Sequence, residues 1–175
     1  FVGGVRREEW EQNEIAFNGL KRVTVSSGST GNAIFSNSIF SNAKLGVDLS
    51  DDRVTRNDAG DRDGGPNGLQ NYPVLSSARR SGSTTSIRGT LNSTPNTALT
   101  VQFFTSPSPD PSGHGEGKRL LGKSQVKTDG RGVAGLSFAT GAAPAGSVVT
   151  AVATPGWYQR ASGSSSEVSK AVTVR

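Results

Sequence analysis

The fold is decided by residues 13–25, NEIAFNGLKRVTV, and residues 37–49, NSIFSNAKLGVDL, one pattern written twice at an offset of 24 residues. Aligned, Asn13 falls on Asn37, Ile15 on Ile39, Asn18 on Asn42, Val23 on Val47 and Val25 on Leu49. The apolar and asparagine positions recur while the charged ones vary. A period in the twenties with isolated β-branched residues marks a coil that cannot close a core alone and buries its apolar face on its neighbours. The apolar runs are too short for helices, and Asn32, Asn37 and Asn42 recur every five residues with Ile34 and Ile39 two places after the first two. Short strands with Ile pointing inward fit this spacing. An Asn at each bend can take left-handed dihedrals and hydrogen-bond the same Asn one coil above. An ordinary hairpin with polar turns would also supply short strands, but it does not require these positions to recur in register.

Composition agrees with an all-β, turn-rich chain. Of 175 residues 23 are Gly, and hydrophobic residues make up 32%. That apolar content is low for one globular core, yet many short strands spread burial thinly, so disorder is not implied. The opening FVGGVRREEW carries neither a signal peptide nor an apolar run able to cross a membrane, and the chain has no Met. It is expected to be a piece of a longer protein with more coils upstream. The absence of Cys excludes disulfides, thiolate metal sites and cysteine nucleophiles, and decides no compartment.

Charge divides the chain. Residues 1–77 carry eight basic and ten acidic side chains, a net of −2, whereas residues 78–175 carry eleven and four, a net of +7. The basic charges are scattered singly apart from Arg79-Arg80 and Lys118-Arg119, which reads as solvated strand faces rather than a nucleic-acid footprint. The boundary falls near residue 77, where 71–75 reads as a short closing strand and SSARRSGSTTS, residues 76–86, as a linker. Beyond it, period-two apolar patterns predict strands at 86–91, 99–105, 119–128, 133–139, 148–154 and 171–174. Six or seven short strands in about a hundred residues suggest a two-sheet sandwich of immunoglobulin-like outline.

Three stretches read in order carry a family resemblance: GNAIFSNSIFSNAKLGVDLSDD at 31–52, VTRNDAGDRDGGPNGLQNYPVL at 54–75, and GTLNSTPNTALTVQFFTSPSPDPSGHGEGKRLLG at 89–122. Over residues 13–154 the chain resembles the C-terminal region of large secreted bacterial right-handed parallel β-helix repeat proteins, most specifically at 57–75. The resemblance implies the end of a right-handed parallel β-helix over 1–77 joined to an immunoglobulin-like β-sandwich over 78–175. It also implies a secreted or cell-surface bacterial protein, adhesin-like in many members. The chain departs from the family at Lys21-Arg22, where small residues are usual, and at Ser165-Ser166-Glu167-Val168 in the last strand.

The densest chemistry lies in the loop 48–67, with Asp48, Asp51, Asp52, Asn57, Asp58, Asp61 and Asp63 and glycines at 60, 64 and 65. Calcium takes six to eight hard oxygens at flexible geometry, and alternating Asp and Asn with glycines to bend the chain can supply them. It is not an EF-hand, since no glutamate closes the loop and no helices flank it. The competing reading is a solvated turn whose aspartates cap amides and pair with Arg53, Arg56 and Arg62. Either way the loop is expected to seal the end of the solenoid, whose strand edges need a cover.

His114, Asp110 and a serine do not make a hydrolase, because Pro-Asp-Pro-Ser-Gly-His-Gly has no nucleophile elbow, and no phosphate-loop spacing exists. Trp157 and Tyr158 are candidate ligand-binding rings for a sugar or a partner, against the alternative that Trp157 plugs a strand edge. These readings describe a non-catalytic structural or interaction module, adhesin-like or scaffold, whose partner is a protein or a surface glycan. Nucleic acid is not among its expected partners. The alternative is the accessory region of a β-helix polysaccharide lyase or glycoside hydrolase with its active site upstream. A subunit held in a larger assembly is a third possibility, with an exposed apolar face as its sign.

Overall fold

A computed structural model describes residues 2–3, 12–19, 23–156 and 163–175. The protein is all-β, with small parallel pairs in its first part and antiparallel sheets in its second. Among the described residues there is no α-helix, only a 3₁₀ turn at Pro66–Leu69.

The first part is two layers of short strands. β1 (Val2–Gly3), β2 (Glu14–Ala16) and β3 (Val23–Val25) lie in parallel on β4 (Ile34–Phe35), β5 (Ser38–Phe40) and β6 (Val47–Leu49), respectively. Ile15 registers on Ile39, Val23 on Val47 and Val25 on Leu49, the alignment read from the repeat. Each parallel sheet has two strands and extends no further among the described residues. The asparagines form the expected ladder: Asn13 Nδ2 donates to Asn37 Oδ1 at 3.0 Å, and Asn18 Nδ2 to Asn42 Oδ1 at 2.9 Å. In both pairs the backbone N–H of the upper Asn donates to the same oxygen. The left-handed residues, however, are Phe17, Ser36 and Ser41, each one place before an Asn. The turn is made by the preceding residue, which leaves the Asn free to aim its carboxamide along the stack.

The second part is two antiparallel sheets. β7 (Val74–Ser81), β8 (Thr84–Asn92) and β11 (Val133–Gly141) form one, in the order β11-β8-β7. β9 (Ala98–Ser106), β10 (Arg119–Lys127), β12 (Val148–Pro155) and β13 (Val172–Thr173) form the other, in the order β10-β9-β12-β13. The expected linker at 76–86 is instead a β-hairpin, in which Ser81 pairs with Thr84 around Gly82 at φ 56. Its polarity misled because β7 turns Ala78 into the core while Arg79 and Arg80 face solvent. The remaining six expected strands lie inside or over β8–β13. Between the sheets, Ile87, Leu91 and Leu136 meet Leu99, Val101, Phe103, Val149 and Ala151, and Phe103 stacks on Phe138 with ring centroids 4.6 Å apart.

The two central strands of the four-stranded sheet, β9 and β12, are buried on both faces, which positions everything that follows. Leu99, Val101 and Phe103 of β9 face the other sheet, while Phe104 and Val152 pack on Val25, Ile34, Ile39, Val47 and Leu49 of the parallel layers. Both parts of the chain therefore share this second core. The cavity left between them, lined by Ile34, Ile39, Phe104, Val152 and Val168, is only about 20 Å³. Lys118 and Lys123 of the β10 side lie over the rings of Phe40 and Phe35 at 4.3 and 4.4 Å, adding cation–π attraction to the joint. Burial holds the Lys123 ammonium down to a pKa of about 8.

Candidate functional site

The lower layer, β4–β6, presents a strand edge whose N–H and C=O groups need partners once water is excluded. They are met mainly by side chains of the second part. Gln102, fully buried on β9, accepts from Ser36 N at 2.7 Å and donates to Ile34 O at 3.3 Å. Glu116 accepts from Ser41 N at 2.6 Å and, through its other oxygen, from Asn42 N at 2.8 Å and Asn42 Nδ2 at 3.0 Å. Its carboxylate thus takes the place of the next asparagine in the ladder. Ser165 Oγ accepts from Ile34 N at 2.8 Å, and Glu167 accepts from Leu49 N and Thr55 N, both at 2.9 Å. Backbone meets it as well, at β5, where Ile39 and Gly117 exchange N–H···O bonds of 2.9 and 2.8 Å, and just before β4, where Ser165 N donates to Asn32 O at 3.0 Å. An added Cβ at Gly117 would stand 2.6 Å from Phe104 Cγ, so glycine alone permits this approach.

The end of the stack is therefore covered by β9, the β9–β10 loop and residues 165–169, joined from the loop 48–67 by Asn67, whose Oδ1 accepts from Asn32 N and Nδ2. The aspartates divide into two places. Asp48 is buried on β6, and with exposed Asp51 and Asp52 it lines a groove of about 710 Å³ shared with Lys44, Arg53 and Asp110. Asp58, Asp61 and Asp63 gather elsewhere, with one carboxylate oxygen from each inside a 4.8 Å circle. Gly60 and Asp61, both left-handed at φ 80 and 57, fold the loop back on itself. Asp61 is held by Asn71 N at 2.8 Å and Ser93 Oγ at 2.8 Å, and Gly60 N donates to Asn92 Oδ1 at 2.7 Å. Asp58 Oδ2 accepts from Arg62 N at 3.0 Å, while its buried Oδ1 has no hydrogen-bond partner.

Burial raises the Asp61 carboxyl above its ordinary value against the lowering pull of Ser93 and Asn71, and the charges of Asp58 and Asp63 raise it further. Asp63 is raised by burial and then by Asp58. Three mutually repelling hard oxygens at this spacing can hold a metal ion, which would relieve the repulsion. Asn57 does not join them. Its Oδ1 accepts from Tyr72 N at 3.0 Å and its Nδ2 donates to Tyr72 O at 2.8 Å, so it clamps the backbone. Asn67, also in the loop, is buried against the last layer, accepting from Asn32 and donating to Ser165 O. Trp157 and Tyr158 lie outside the described residues.

His114 is half-buried, edge-on to Tyr72 with centroids 5.1 Å apart, and burial lowers its pKa. Ser112 Oγ bonds Asp110 Oδ1 and the backbone of His114, not its ring, so this loop builds no proton relay to a serine. Gln102, Glu116 and Glu167 escaped the sequence reading. Their signal was a lone Gln between Val101 and Phe103, and two of only four acids in a strongly basic half. Comparison of the chain with models of known protein families yields no match, and comparison with curated proteins yields none either.

Proposed function

We propose that this chain is a non-catalytic structural and interaction module of an exported bacterial surface protein, in which an immunoglobulin-like sandwich closes the last coils of a right-handed parallel β-helix. The observation that carries this reading is the lower strand edge, where Gln102, Glu116, Ser165 and Glu167 stand in for the backbone and asparagine acceptors of a further layer. A cap of this kind blocks edge-to-edge addition of another chain. Among the described residues no such set of side chains lies on the upper layer, and Phe17 on it is 77% exposed while stacking edge-on to Phe40. The sequence resemblance at 57–75 supports the placement on an exported bacterial protein. Sedimentation velocity of the Gln102→Leu, Glu116→Ala double variant against the parent tests the cap. Opening the edge is expected to produce concentration-dependent association of a chain that remains folded by circular dichroism. A folded variant with the parent's sedimentation at every concentration would sink the capping role.

Calcium is the ion we assign to Asp58, Asp61 and Asp63. The hard oxygen donors, the absence of Cys and the single His favour it over softer metals. Its role is structural, pinning the loop against Asn71 and the β8 end. A thermal melt with calcium and with chelator, at fixed ionic strength, tests the assignment.

A further inference from the structure

A groove of about 570 Å³ opens at the end of the sandwich where the turn 144–147 enters β12, a volume in the range of sites that enclose a small ligand. Its floor is the end of β9, Thr105 and Ser106, together with Ser147, all buried. One wall is formed by Lys118 and Arg119, where β10 begins. The other is the turn, with Pro144 and Ala145 exposed and Gly146 left-handed at φ 79. Antiparallel pairing sets these pieces side by side, since Arg119 registers on Thr105 and Val148 on Ser106. A β-bulge between Leu120 and Gly122 bends β10 just beyond the cationic wall. Among the residues lining the groove there is no acid.

Each floor hydroxyl has its single proton committed within the protein. Thr105 Oγ1 donates to Ser147 Oγ at 3.2 Å, Ser147 Oγ to Pro144 O at 2.6 Å, and Ser106 Oγ to Glu116 O at 3.4 Å. A hydroxyl also carries two acceptor lone pairs, of which Ser147 and Ser106 each use one, the latter for Lys118 N at 3.1 Å. The floor therefore still accepts but no longer donates, which suits a ligand's hydroxyls and repels an anion. Anionic oxygens belong on the cationic wall, where Arg119 is exposed and its planar fork matches a carboxylate in two parallel bonds. Lys118 adds charge beside it, its ammonium 4.3 Å from the centre of the Phe40 ring. Opposite, Pro144 and Ala145 present C–H surface. We infer that the groove binds an acidic sugar, a pyranose whose hydroxyls donate to the floor, whose carboxylate pairs with Arg119 and whose C–H face rests on Pro144. An acidic peptide brings carboxylates without the hydroxyl donors the floor accepts, and a neutral sugar leaves both cations unanswered. The acidic sugar rests on the reading of the chain as an interaction module and gives that module a partner class, at a place that shares no side chain with the cap or the aspartate triad. Sedimentation of the Gln102→Leu, Glu116→Ala variant reports on the cap and sugar binding on the groove, so either can fail alone.

Titration of the whole ¹⁵N-labelled chain with trigalacturonate tests the assignment, in chelator so that calcium bridges no carboxylates. Saturable shifts are expected at the amides of Thr105, Ser106, Arg119, Gly146 and Ser147, with Ser36 and Asp61 unmoved. Arg119→Gln should weaken the affinity about tenfold or more, the worth of a hydrogen bond to a charged group. The neutral trisaccharide galactotriose should bind the parent more weakly by a similar factor. That comparison needs no variant, so it decides even if Arg119→Gln does not fold. Hexaglutamate bound as tightly as the uronate would mean that the groove reads charge alone, and overturns the sugar. Equal affinity for galactotriose, or no shifts at these amides, overturns it as well.

Discussion

Replacing Gln102 by Leu isolates how much the capped edge matters. The two side chains are close in size, so the change leaves the packing volume of β9 nearly intact and removes only the polar atoms. Ser36 N then loses an acceptor at 2.7 Å, and Ser36 is only 6% exposed, so no water replaces it. Ile34 O loses a longer bond of 3.3 Å but keeps Ser165 Oγ at 3.4 Å, which limits the second loss. A buried donor left unsatisfied costs about 1–3 kcal/mol, and the weaker carbonyl loss adds less than about 1. The extra apolar contact of Leu returns about 1. The net is about 2 kcal/mol of destabilisation. For a chain of 175 residues this is a fall of about 4–8 °C in Tm. Urea unfolding of parent and variant at one fixed pH measures it, with an unchanged m-value as the control on two-state behaviour. Thr100→Val is the companion, since Thr100 Oγ1 donates only to Gly156 O, and Gly156 is half-exposed so that water can take over. It should cost under about 1 kcal/mol. If Gln102→Leu costs no more than Thr100→Val, the strand edge does not depend on Gln102 and the reasoning is wrong.

Calcium at about a hundredfold excess over its Kd should stabilise the folded chain by roughly 2.7 kcal/mol, and Asp61→Asn with Asp63→Asn should abolish the shift. A melt that does not move with chelator would leave the three aspartates as turn-forming residues. Gly117→Ala should destabilise by about 1–3 kcal/mol in denaturant unfolding, because its Cβ would collide with Phe104 at 2.6 Å while Gly117 is bonded to Ile39. Gly135→Ala, on the exposed side of β11 with nothing within 4 Å, should change stability by less than about 0.5 kcal/mol, and equal costs at the two sites would remove the close-approach argument.

The 24-residue register was legible because it rests on local chemistry that repeats: Ile inward, Asn along the ladder, each pair of layers seeing the same partner one period away. The antiparallel strands were legible for a similar reason, since alternation along β8 or β11 reports one buried face. On β9 and β12 the alternation carried less information, because both faces are buried and Thr100, Gln102, Thr150 and Thr154 are as enclosed as their apolar neighbours. Thr and Gln in those strands look like a solvated face until the covering layer is known. The hairpin at β7 was hidden by the same ambiguity in reverse, a strand whose polar side faces water and whose core contacts are Leu75 and Ala78.

The cap was the least legible because its partnerships span great sequence distances, 66 residues from Ser36 to Gln102 and 118 from Leu49 to Glu167, with no repeat to announce them. Composition pointed at the aspartate loop as the seal, yet a strand edge asks for acceptors set at the spacing of its own N–H groups, not for density of charge. Asp58, Asp61 and Asp63 cluster within 4.8 Å, too close together to serve N–H groups spread along β4, β5 and β6. Single acceptors carried by β9, the β9–β10 loop and residues 165–169 meet that spacing one by one. The two acidic features of the chain thus do different physical work. Dispersed Gln and Glu satisfy an edge, and the crowded aspartates create a negative field that a bound cation would relieve.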